Sequence, residues 1–511
     1  MTRPINIKRR KLLRYASLGA AAYSLPWGLG GRAEQSSAKA KFAPDVELLL
    51  RAGVTDVPIL RGKPTRVWKF SAKLLKGPSG TVEKIPGSYL GPVLRLRKGQ
   101  RVRIRFHNKI PEGCIVHQHG LHVPERADGH PRYEIDSGQT YTYEFVVRDR
   151  AGTYWYHTHT HHRTAQQVYN GLAGLILVSD REDDGLDLPD GKHDVPLVIQ
   201  DRRFDRQNQL LYVNSLQEQM AGFLGDRILV NGKPDFLLQV ATRAYRLRLL
   251  NGSNSRIYKL AWSDGSPLTV IGTDGGLLER PVQRQYVTLA PAERIEIWAD
   301  FSRYKIGTEL TLTSLAFSGV MPEEGVTTSS ALPQGGAFPV LKVRVVRLEW
   351  RFQALPARLT TITRYRLKDA ANARKPRTIT LAMRPMLPQI NNRSFQMTEF
   401  AKHEIIPLNT LQVLTCDNRD PNPMRMVHPL HVHGQSFQVL KREIAPAYAK
   451  AYATLSAGFV DSGWKDTVLV MPGERVTLLK RFDRYKGLYL YHCHNLEHEN
   501  LGMMRNFLVQ G

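Results

Sequence analysis

The 511-residue chain carries 17 histidines, and they gather in short motifs. His117-Gln118-His119 is followed by His157-Thr158-His159, with His161 and His162 trailing. Near the C-terminus stand His428-Pro429-Leu430-His431-Val432-His433 and His492-Cys493-His494, with His498 and Met503 close behind. Side chains alternate along a strand, so each H-x-H pair presents two imidazoles on one face. One such pair is weak evidence of a metal site; four in one chain are strong evidence. Imidazole suits Cu, Zn, Fe and Ni alike, so the histidines do not choose the metal. The last motif does. Alternation turns Cys493 away from His492 and His494, which assigns its thiolate to a different metal. Two histidines, one cysteine and a weak axial methionine form the ligand set of a blue-copper electron-transfer site. Cys493, His498 and Met503 supply three of these within eleven residues, and His428 is the natural fourth. Met504 competes for the axial place, and spacing favours Met503.

Strands must position these motifs. Val93–Arg97, Gly99–Phe106 and Thr140–Phe145 alternate apolar with polar residues, as do Tyr245–Leu250 and Gly473–Leu479. Period-two alternation predicts one buried and one wet face, as in a β-sandwich. No long amphipathic helix is read. Length and pattern predict an all-β chain of three β-sandwiches. They are placed at 45–180, 195–346 and 378–511, with an acidic linker near 180–194 and a basic one over 347–377. The middle segment has almost no histidine, so spacing and scaffolding is its expected role.

The N-terminus reads as an address. Lys8-Arg9-Arg10-Lys11 precedes a small, mildly apolar run, and no acid appears before Glu34. Residues 1–33 are read as a signal peptide of twin-arginine type, giving a periplasmic or secreted protein. Formal net charge is +26, and removing the seven basic residues of that segment leaves +19. Such a surface could touch anionic envelope polymers, although the cations are dispersed; no nucleic-acid motif accompanies them. No membrane span is read after the N-terminus, and a monomer is expected. Three cysteines are too few for a disulfide framework. Cys114 and Cys416 could pair, or each could be a buried thiol.

In order and spacing, the four motifs resemble those of multicopper oxidases of the laccase and bacterial copper-efflux type. Gly171-Leu172-Ala173-Gly174-Leu175 and Gly463-Trp464-Lys465-Asp466-Thr467 extend the match over nearly the whole mature chain. The resemblance implies cupredoxin-like Greek-key domains and four copper ions. His428, Cys493, His498 and Met503 would bind type 1 copper, and His117 with His431 the type 2 copper. His119, His157 and His494 would bind one type 3 copper, and His159, His433 and His492 the other. This trinuclear cluster would straddle the first and third domains. Asp128, nine residues after His119, and Glu499, directly after His498, match acids used for proton supply and cluster support. Copper-free relatives that act in cell division have lost the ligands; here none is missing. Gln118 stands where the family usually has tryptophan, and the methionine-rich insertion of copper-efflux oxidases is not evident.

The implied reaction takes electrons one at a time from a small substrate and reduces O₂ to water. Phenols or aromatic amines are one substrate class, with Tyr448, Tyr452 and Phe459 as candidate lining. Cu(I) or Fe(II) is the other, with Met424 and Met426 just before His428 as soft donors and Met383, Met386 and Met397 in the same loose group. A copper-binding envelope scaffold without turnover is the alternative of another class. His161 and His162 read as outer-sphere or surface residues, and His107, His122, His130, His193 and His403 as ordinary histidines.

Overall fold

A computed structural model describes residues 42–511 except 214, 322–329, 385–386 and 421–423. Residues 1–33, read as a signal peptide, and Met386 lie outside the described residues. Six sheets pair into three sandwiches. The first is built from strands between Val46 and Ser179, the second between Asp194 and Arg347, the third between Arg377 and Gln510. Their apolar faces form three separate main cores, as alternation requires.

One connectivity is used three times. Each sandwich opens with a strand lying parallel to a later one in the same sheet: Val46–Val57 on Arg101–Lys109, Asp194–Arg202 on Ala244–Asn251, and Arg377–Arg384 on Thr410–Asp417. The second sheet repeats the device with Val93–Arg97 on Ala173–Ser179, Leu237–Ala241 on Phe338–Arg347, and Ile405–Pro407 on Met504–Gln510. Parallel neighbours need a crossover, which gives the Greek-key character.

The expectation of a wet face on Tyr245–Leu250 is corrected: every residue of Ala244–Asn251 is buried. Arg246 and Arg248 face the first sandwich, and Glu296 on the neighbouring strand of their own sheet accepts from both at 2.8 Å. Asp183 accepts from Arg246 Nη1 at 2.9 Å and Asp194 from Arg248 Nη2 at 3.0 Å. Pairing makes this burial tolerable. Cys114 and Cys416 are free and buried in different sandwiches. Among the described residues no helix is long and apolar enough to cross a membrane.

Candidate metal centre

The histidine motifs fall on equivalent strands of the first and third sandwiches. Val116–His119 pairs with Gly152–Thr158 so that His117 lies opposite His157. His428–Val432 pairs with Gly487–Cys493 so that His431 lies opposite His492 and Leu430 opposite Cys493. The strands in the same places of the middle sandwich, Tyr258–Trp262 and Glu309–Ser314, carry no histidine. Parity then divides the third sandwich's donors. Odd-numbered His431 and His433 face outward with the even-numbered residues of the HCH motif. His428 shares the inner face with Cys493.

Eight buried imidazoles meet between the first and third sandwiches. The rings of His119 and His431 stack 3.8 Å apart, and those of His117 and His433 3.9 Å apart. Their donor atoms converge as His117, His119 and His431; as His119, His157 and His494; and as His159, His433 and His492.

Hydrogen bonds fix which nitrogen faces inward. Nδ1 of His117 donates to the Asp128 carbonyl at 2.5 Å, and Nδ1 of His431 to the Asp466 carbonyl at 2.8 Å. Nδ1 of His157 donates to the Thr158 carbonyl at 2.8 Å, and Nδ1 of His492 to the Cys493 carbonyl at 3.1 Å. Nδ1 of His433 donates to Asp128 Oδ2 at 2.7 Å. Their Nε2 atoms therefore point in as bare lone pairs. His492 Nε2 faces His433 Nε2 at 3.2 Å and His159 Nε2 at 3.3 Å. His117 Nε2 and His431 Nε2 are buried without a partner. Lone pairs at that separation repel unless a cation lies among them. Metal–nitrogen bonds of about 2.0 Å at tetrahedral to trigonal angles hold donors roughly 3.3–3.5 Å apart, so the cluster fits a metal. Burial lowers the pKa of His117, His119, His157, His159, His431, His433 and His494 and so favours the neutral, ligating form.

The second centre is smaller. Cys493 Sγ lies 3.5 Å from His428 Nδ1 and 3.6 Å from His498 Nδ1, all buried. His498 stands on the short helix Leu496–Asn500, and its Nε2 donates to the Met220 carbonyl of the middle sandwich at 2.9 Å. Met503 is fully buried in the same apolar cluster as Cys493, whereas Met504 packs with Phe395 and Leu490. The Met503 carbonyl accepts from Cys493 N–H at 3.0 Å. Burial pushes the Cys493 thiol up, and a soft cation would reverse that. Two imidazoles, a thiolate and a thioether suit copper.

Both acids sit at the cluster. Burial pushes the Asp128 carboxyl well above its ordinary range, and its Oδ1 has no partner. Burial opposes ionisation of Glu499 too, but His492, 3.1 Å away, and His159 hold it down to about 2. His161 is half-buried against the exposed His162, outside the donor groups.

Some contributors escape sequence reasoning. Asp466 appears there only inside a matching segment; its Oδ1 lies 3.1 Å from His119 Nε2. Arg294, Asp274 and Met220 come from the middle sandwich, where no motif marks them. Tyr452 and Phe459 pack half-buried against Leu455 and Val320, and Tyr448 lies under Arg425.

Comparison with known proteins agrees. Profiles of the multicopper oxidase family match residues 67–183 and 365–511. The laccase of Bacillus subtilis is 29% identical over 92% of this chain and 94% of its own length. The laccase of Bacillus stratosphericus is 31% identical over 86% of this chain and 90% of its own. The cell division protein FtsP of Dickeya dadantii is 30% identical over 99% of each. The solved structure of the McoA multicopper oxidase from Aquifex aeolicus covers 92% of this chain and 97% of its own, with TM-score 0.77 and 33% identity.

Proposed function

Since the chain belongs to the multicopper oxidase family, we propose that it oxidises a small substrate one electron at a time at a mononuclear centre and reduces O₂ to water at a trinuclear one. The carrying observation is the separation of buried donors into a Cys493–His428–His498 centre and an eight-histidine cluster. In this reading His428, Cys493, His498 and Met503 hold type 1 copper. His117 and His431 hold type 2 copper; His119, His157 and His494, and His159, His433 and His492, hold the type 3 pair. Four bound coppers would supply storage for the four electrons that O₂ requires. Cys493 lies between His492 and His494, so one strand joins the two centres. Asp128, whose carboxyl burial biases toward the protonated form, is the donor to the cluster. Glu499, ionised, steadies His492 and His159. Export through residues 1–33 by the twin-arginine route, domain limits at 45–180, 195–346 and 378–511, and a monomer in contact with anionic envelope surfaces belong to the same proposal.

The laccase relatives favour phenols and aromatic amines as substrate. A specific feature supports a second reading, oxidation of Cu(I) or Fe(II). Met220, Met383 and Met426 are buried together, with Met321 and Met424 partly buried against them. Met426 is two residues from His428, and the Met220 carbonyl holds His498. Thioethers are soft donors suited to Cu(I). Steady-state oxidation of a phenol, Fe(II) and Cu(I), compared between wild type and Met424→Leu, separates the readings. Loss of Cu(I) turnover alone in the variant supports the metal reading; phenol turnover with none for either metal supports the laccase reading. The relationship to FtsP raises a third possibility, a scaffold without turnover. A colourless protein after copper reconstitution would favour it and sink the oxidase assignment.

A further inference from the structure

The middle sandwich supplies no histidine to the cluster, yet one of its side chains reaches it. We propose that Arg294, first residue of the strand Arg294–Asp300, is a positioning residue for the histidine cluster, acting through Asp466 on His119 and His431.

Both side chains are fully buried. Arg294 Nη1 donates to Asp466 Oδ1 at 2.8 Å, and Nη2 donates to Asp466 Oδ2, a bidentate pair. The remaining three donors are also used. Nε donates to the Thr153 carbonyl of the first sandwich at 2.9 Å. Nη1 donates to the Ala292 carbonyl at 2.9 Å and Nη2 to the Asp274 carbonyl at 3.0 Å. Five N–H groups thus meet five acceptors in a planar fork, which a lysine's three donors cannot reproduce.

Asp466 passes this order to the ligands. Its Oδ1 accepts from His119 Nε2 at 3.1 Å, which leaves His119 Nδ1 to face His157 Nε2 at 3.3 Å. Its carbonyl accepts from His431 Nδ1 at 2.8 Å. Asp274 Oδ2 in turn accepts from the backbone N–H groups of Asp466 and Thr467 at 3.2 and 3.3 Å. A Cβ at Gly120, next to His119, would stand 2.6 Å from Asp466 Oδ2 and 2.9 Å from Arg294 Nη2, so the pair fills the space a side chain would need. Without the guanidinium, Asp466 is a buried charge with its main partner gone, and it has reason to turn from His119. His119 can then present either nitrogen, and His431 loses a fixed carbonyl.

The inference rests on the copper assignment above. The test is Arg294→Lys in the copper-reconstituted full protein, read by copper per chain, the paramagnetic resonance signal of type 2 copper, and the blue band at about 600 nm of the cysteine-bound centre as internal control. Wild type that binds no copper refutes the assignment itself. With wild type loaded, the expected result is a variant that keeps its blue band, shows an altered or weakened type 2 signal, and loses about 10–100-fold in cluster copper affinity. Asp466→Asn should shift the same signal, and the double variant should add little to either single one. An unchanged type 2 signal and copper content overturns the proposal. So does equal loss of both centres, which makes Arg294 a fastener of the sandwiches and nothing more. If Arg294→Lys does not fold, Asp274→Asn, which weakens the anchor of the Asp466 backbone, is read by the same criteria.

Discussion

Gly129 offers a sharp test of how the cluster is held. It follows Asp128 at φ +90°, a region that costs a residue with a Cβ about 1–2 kcal/mol. A Cβ there would also lie 2.3 Å from the Val116 carbonyl oxygen, 2.5 Å from His117 Cα and 2.7 Å from His117 N. All three are backbone atoms of a paired strand, so relief must come from movement of one chain past the other, roughly another 1–3 kcal/mol. Gly129→Ala should therefore destabilise by roughly 2–5 kcal/mol. The movement has a specific consequence. It pulls the Asp128 carbonyl from His117 Nδ1 and Asp128 Oδ2 from His433 Nδ1 in one step.

Gly434 supplies the control. It follows His433 at φ +80°, but a Cβ there meets nothing within 4 Å. Gly434→Ala should lose only the conformational part, about 1–2 kcal/mol, and keep the cluster. The assay compares melting and copper content of both variants after reconstitution, with the blue band as reference. Gly129→Ala is expected to lose cluster copper while Gly434→Ala keeps it. Equal copper content in the two would falsify the claim that the Asp128 turn orients His117 and His433.

Three further outcomes follow from the geometry. Burial opposes ionisation of Glu296, but Arg246 and Arg248 outweigh it and hold the carboxyl at about 2 against an ordinary 4.5. That difference contributes roughly 3 kcal/mol above pH 4.5 and fades as pH falls toward 2, so the stability gap between wild type and Glu296→Gln should narrow across that window; a pH-independent gap refutes the pairing account. Burial pushes the Cys114 thiol up to about 12 and the Cys416 thiol higher. Neither should react with a thiol reagent in the native protein, and all three cysteines should titrate once the copper-free chain unfolds; early labelling at Cys114 or Cys416 contradicts this. Glu499→Gln should slow O₂ reduction about 10–100-fold and leave the blue band in place, and unchanged turnover removes Glu499 from the assignment.

Strand parity made much of the centre legible in the sequence. It separated Cys493 from His492 and His494, and the structure puts His428 on the Cys493 face as the same alternation requires. Period-two runs marked the chain as all-β for the same reason. What escaped depends on contacts between distant segments. Arg246 and Arg248 look like the wet face of a strand because nothing local announces Glu296 and the acidic stretch that bury them. Arg294 and Asp466 are 172 residues apart and become a pair only when the second and third sandwiches dock. Asp274 is silent for the same reason, and so is the Met220 carbonyl, because a backbone acceptor has no signature in residue type.

These silent contacts bear on why a histidine-free sandwich is present at all. A centre whose ligands come from two separate sandwiches inherits any relative motion of those two bodies. Ligand geometry tolerates only about 0.5 Å of such error. The middle sandwich repeats the strand plan of its neighbours but spends its equivalent strands on its own core. Its influence on the metal sites runs through hydrogen bonds instead. Arg294 touches the Thr153 carbonyl of the first sandwich, the Ala292 carbonyl of the second and the Asp466 carboxylate of the third. One rigid guanidinium therefore references all three bodies to each other within a bond of His119. At the other centre the Met220 carbonyl ties the second sandwich to His498 of the third. The middle domain is better understood as the part that fixes the distance between ligand-bearing domains than as a spacer between them.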